Sequence, residues 1–130
     1  MAAFSNYLED QITGWLNGTA MATAPTNVYV QLYNGDPTDA GTGGTALFTR
    51  VAVAAGSWTR GTGGAGTMSN TSQILMTASA GSGATASYVA VFDASTSGNL
   101  LFHGALASSL TINSGDEVRF NAGALQLTVA

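Results

Sequence analysis

The stretch Ser87-Tyr88-Val89-Ala90-Val91-Phe92-Asp93, the connection Ala94–Asn99, and the return Leu100-Leu101-Phe102-His103-Gly104-Ala105-Leu106 together decide the fold. The first run is short, rich in β-branched and aromatic residues, and bounded by turn formers, which marks a strand rather than a buried helix. Gly98 sits in the connection, so the second run can fold back antiparallel on the first as a hairpin.

The same period-2 pattern recurs in both directions along the chain. Val28, Val30 and Leu32 alternate with Tyr29, Gln31 and Tyr33, a half-buried strand. Asn34-Gly35-Asp36-Pro37 signals a turn opening a loop through Gly43-Gly44. Leu47 to Val53 reads as a strand with Arg50 on the opposite face from Val51 and Val53. Gln73–Thr77, Leu110–Ile112, Glu117–Phe120 and Leu125–Val129 read as further short strands, with Asn113-Ser114-Gly115-Asp116 as a turn. Gly56–Asn70, which carries Trp58 and Arg60, reads as a long mobile loop, and Ala80–Ala84 as a shorter one.

About seven short strands with no strand-helix alternation predict a mainly β protein, an antiparallel β-sandwich of Ig-like or jelly-roll type, spanning residues 27–130. One helix precedes it in residues 1–18. Ser5 is a good N-cap, Glu9 and Asp10 complement the helix dipole, and Asn17-Gly18 forms a stop. Phe4, Leu8, Ile12 and Trp15 recur at helical spacing and make one apolar stripe, which packs either on its own domain or on a neighbour. The whole is a single domain of 130 residues.

Composition limits the function. Three Arg, no Lys and seven acidic residues give a net charge of -4. Such a chain cannot neutralise several phosphates or attach to an anionic bilayer, so neither nucleic acid nor membrane is an expected partner. The absence of cysteine removes disulfides, thiol chemistry and Cys-based zinc, and one histidine rules out a His-rich metal site. No apolar run is long enough to span a bilayer, and Met1-Ala2-Ala3-Phe4-Ser5 is unlike a signal peptide. The expectation is a complete, soluble product made in the cytoplasm. Charged residues are only 8% of the chain, against about 25% in ordinary domains. A surface so poor in charge suits burial in an oligomer or lattice, or else is simply a Thr/Ser/Ala coat on a β domain.

Signals for chemistry are weak. Gly61, Gly63 and Gly66 fit G-x-G-x-x-G, but the reading has no helix after them and no acidic residue until Asp93. His103 is the only imidazole base, and it sits mid-strand with no nucleophile elbow nearby. The seven carboxylates show no assignable glycosidase pair. Asp36 and Asp39 read as Asx-turn residues rather than calcium ligands, since the Asp-x-Asp-x-Asp-Gly pattern is missing. Neither catalysis, cofactor nor metal is therefore expected. Tyr29, Tyr33 and Trp58 read as the exposed aromatics, open to a subunit interface or to stacking on sugar rings. Sequons at Asn17-Gly18-Thr19 and Asn70-Thr71-Ser72 mean little without a secretory route.

Several segments taken together resemble a known family. They are Ser5-Asn6-Tyr7-Leu8-Glu9-Asp10, Val28–Tyr33, Asp36-Pro37-Thr38-Asp39-Ala40-Gly41-Thr42-Gly43, Arg50-Val51-Ala52-Val53, Ser69-Asn70-Thr71, Phe92-Asp93-Ala94, Gly98–Leu106, Asn113-Ser114-Gly115-Asp116, Arg119-Phe120 and Ala122-Gly123-Ala124-Leu125. The match runs nearly end to end and resembles small virion proteins of tailed bacteriophages, of the tail-fibre or minor structural kind. The resemblance implies a non-enzymatic particle component. On that basis the expected role is a capsid decoration (cement) protein, a homo-oligomer such as a trimer that bridges major capsid protein subunits. The alternative is a tail-associated or tail-fibre module that binds a host glycan.

Overall fold

The computed structural model describes residues 2–78 and 84–129. Its elements are β1 (Ala2–Phe4), α1 (Asn6–Leu16), β2 (Asn27–Tyr33), β3 (Ala46–Ala54), β4 (Trp58–Arg60), β5 (Thr67–Asn70), β6 (Ile74–Thr77), β7 (Ala84–Phe92), β8 (Leu100–Ile112), β9 (Glu117–Phe120) and β10 (Gln126–Thr128). They build a five-stranded sheet of order β1-β8-β7-β2-β3, a three-stranded sheet β10-β5-β4 and a two-stranded sheet β6-β9. Every strand pair is antiparallel.

The predicted hairpin forms, with Val91 opposite Phe102 and Val89 opposite Gly104. One register row crosses all five strands of the large sheet: Phe4, Phe102, Val91, Val30 and Val51. All five side chains join the core, which Ile74 and Met76, Val118 and Phe120, and Leu125 and Leu127 close from the smaller sheets. Alternation along each strand puts one set of side chains into that core and its neighbours on the outer face.

The mainly β, antiparallel class stands, and four details differ from the reading above. Among the described residues ten strands form, in place of about seven. Phe4 belongs to a strand, not to the helix: opposite Phe102 it enters the core row, and helix begins only after Ser5. The span Gly56–Asn70, predicted to be one loop, contains β4 and β5, which pair with each other and with β10. The two segments read as 100–106 and 110–112 are one strand, which keeps pairing with β7 across an irregularity between Ala86 and Tyr88. The predicted loop Ala80–Ala84 lies outside the described residues except for Ala84, where β7 begins. β3 runs beside β6, and β1 beside β10, so both flanks of the five-stranded sheet have neighbours.

Candidate assembly surface

Most polar residues of the family-like motifs serve as pins inside the molecule. The next row of the large sheet, Ala3, His103, Ala90 and Gln31, faces outward. His103 and Gln31 are nevertheless buried, because loops cover them. The loop between β2 and β3 folds over His103: Asp39 Oδ1 lies 2.8 Å from Nε2, and Asp36 Oδ1 lies 3.3 Å from Nδ1 without hydrogen-bond alignment. Asp36 Oδ1 also accepts from the Thr38 N–H at 2.9 Å, the expected Asx turn. The Asp39 carbonyl accepts from Asn6 N–H at 2.9 Å, which ties the start of α1 to the same loop. Ser5 caps the helix through Leu8 N–H, and its hydroxyl donates to the Leu100 carbonyl.

Gln31 governs the irregular stretch of β3. Its Nε2 donates to the Phe48 carbonyl at 2.8 Å and its Oε1 accepts from Arg50 Nε at 2.8 Å. Phe48 has φ 61, a conformation that bulky residues rarely adopt, within the stretch where β3 slips register against β2. Arg50 then reaches across the sheet to the carbonyls of Ala94 and Ser97, at 2.7 and 2.8 Å, with its guanidinium 3.6 Å above the Phe92 ring. Burial lowers the Arg50 pKa from its usual value, and Tyr33 and Asp93 act the other way. On the opposite side of the core, Asn70 is fully buried with its amide satisfied. Nδ2 donates to the carbonyls of Ser72 and Asn121, and Oδ1 accepts from Leu125 N–H. The sequon asparagine is thus enclosed by protein.

The aromatic residues are less available than the sequence suggests. Tyr33 is buried and stacks on Phe92 with centroids 6.5 Å apart. Trp58 is half-buried in β4, edge-on to Phe102 at 6.4 Å, and its indole N–H is enclosed. The cause in both cases is a distant partner: Trp58 lies opposite Asn70 in the register, and Tyr33 opposite Tyr88. Tyr29 is half-buried beside Phe92 and does share a face with Tyr33. Of the three residues read as exposed, two are packing residues.

The far end of α1 is left outside the fold. No residue of this helix is buried. Leu8 and Ile12 are half-covered, whereas Trp15, Leu16 and the following Met21 stand in solvent. Met21 also lines a groove of about 430 Å³, together with Tyr7, Leu8, Pro25, Asp93 and Leu101. Gln11 Oε1 accepts from Ala22 N–H at 2.7 Å and folds the following segment back along the helix. The stripe Leu8–Ile12–Trp15 therefore starts over the sheet and runs off it. No described helix is long and apolar enough to cross a membrane.

A domain whose polar residues are spent on holding loops, and whose largest apolar exposure is one helix end, has the character of a structural component. A family model described as podophage GP4 fiber I protein gp80 matches residues 3–128, and the chain belongs to this family. It is a bacteriophage structural protein of the tail-fibre-like kind, a component of the virion. No curated protein matches the chain.

Proposed function

We propose that the chain is a tail-associated fibre module that acts without catalysis, as a rigid β unit fixed to the particle through its N-terminal helix. The observation that carries this is the apolar end of α1, where Trp15 and Leu16 are the two most exposed large apolar side chains among the described residues. The family match favours the fibre over the cement role expected first. His103 supports a non-enzymatic reading, since both carboxylates near it belong to the loop it holds. The enclosure of Tyr33 and Trp58 favours a spacer over a glycan receptor. Self-association as a trimer belongs to the same proposal, and sedimentation of the purified chain at three times its 13.0 kDa mass would show it.

The decisive experiment locates and counts the chain in purified particles, by gold labelling and by quantitative mass spectrometry against the major capsid protein. The expected result is label at the tail or a single vertex and a copy number far below that of the capsid protein. Label over the whole head, at a copy number comparable to the capsid protein, would overturn the fibre reading in favour of cement.

A further inference from the structure

Trp15, Leu16 and Met21 are 61%, 72% and 45% exposed, half of the six large apolar side chains that stand in solvent among the described residues. A protein with a sufficient core has no stability reason to expose two of them in the last turn of a helix and a third on the segment that folds back along it. Trp is also the residue type that most often anchors an interface.

The charge around them selects the occupant. α1 carries Glu9 and Asp10 and no basic residue, and its last turn has nothing to complement the negative end of the dipole. Among the described residues neither Glu9 nor Asp10 has an ion-pair partner. A second copy docking through the same face would bring two doubly acidic helices together, within a chain of net charge -4, and like charges oppose that contact. A basic segment instead gains in three ways. It pairs with Glu9 and Asp10, it faces the helix C-terminus, and an Arg can lie over the Trp15 ring.

We propose that the α1 end and its adjoining groove form a docking site for an apolar segment bearing Arg or Lys on a different protein of the particle. This rests on the reading of the chain as a virion component. The apolar side chains of that segment would cover Trp15, Leu16 and Met21, and its basic groups would lie toward Glu9, Asp10 and the helix end.

The test uses phage carrying Trp15→Ser, Leu16→Ser or the double change Glu9→Lys/Asp10→Lys, with copies per purified particle counted for each. Truncating a Trp anchor should lower incorporation by about tenfold or more, and charge reversal should lower it several-fold. Because these side chains are exposed, the purified variants should melt close to the wild type. A photo-crosslinker in place of Leu16 should form an adduct with a second virion protein at a peptide containing Arg or Lys. Wild-type copy numbers for both serine variants would overturn the docking site while leaving the virion reading intact. Undiminished incorporation of the charge reversal, or adducts between two copies of this chain alone, would overturn the basic partner. Absence of the wild-type chain from particles would overturn both readings.

Discussion

His103 Nε2 stands 2.8 Å from Asp39 Oδ1, across 64 positions of sequence, and the Asp39 carbonyl in turn holds Asn6 N–H. The imidazole is thus a positioning residue for the β2–β3 loop and, through that loop, for the start of α1. Replacing it by Ala removes the pin from a buried site, which costs about 1–3 kcal/mol. The amide of Asn6 should exchange faster in His103→Ala than in the wild type, while amides of Val30 and Val91 keep their relative order as the slowest. Equal exchange at Asn6 in both proteins would show that the loop is held by other contacts.

Asn70→Ala should be among the most damaging single changes. The Asn70 side chain serves Leu125 N–H and the carbonyls of Ser72 and Asn121 from a position only 1% exposed. Unsatisfied buried groups cost about 1–3 kcal/mol each, so a loss of several kcal/mol by chemical denaturation is expected. Asn70→Asp should fall short of rescue, because it restores the acceptor for Leu125 and not the two donors.

Gln31→Leu keeps the side-chain volume similar and removes both polar contacts. The Phe48 carbonyl and Arg50 Nε would lose a partner within the irregular stretch of β3. A loss of about 1–3 kcal/mol is expected by thermal denaturation. Arg50→Lys should lose part of the same stability, since an ammonium cannot serve Gln31 and the carbonyls of Ala94 and Ser97 in the fork geometry of a guanidinium.

Two glycines should respond with opposite signs. Gly98 has φ 72, and a Cβ there would come within 2.5 Å of Asp93 Oδ1 and 2.6 Å of the Ala94 Cβ. Gly98→Ala should therefore cost more than about 1 kcal/mol and loosen the turn that Arg50 holds. Gly56 has open space around the same position, so Gly56→Ala should be neutral or stabilise by up to about 1 kcal/mol. Melting curves of the two variants check both signs at once.

What was legible in the sequence is what local pattern controls. Val28–Tyr33 and Ser87–Leu106 alternate strongly and are bounded by turns; both form strands, and the second folds into the hairpin read for it. Phe4 misled because its distance from Leu8 fits a helical stripe as well as it fits the end of a strand, and only its partner Phe102 decides. Trp58 lies amid Gly and Thr, where strand signal is weak, so β4 and β5 form through pairing with each other and with the distant β10. The pins at His103 and Asn70 were equally hidden, because each joins residues more than 50 positions apart. Trp15 was legible only as part of the apolar stripe; that it stands open while Leu8 and Ile12 are half-covered depends on how the helix sits on the fold, which local spacing does not carry.

The neighbours on both flanks of the five-stranded sheet bear on how a particle is put together. Viral assembly fills a host cell with many identical copies at once, and bare sheet edges would let those copies zip to one another before reaching their place. β1 and β3 are the outer strands of that sheet, and β10 and β6 lie beside them, which narrows the room for such pairing. Contacts between copies or with other virion proteins then fall to side-chain surfaces, so the order of assembly is set by surface fit and not by backbone pairing at those flanks.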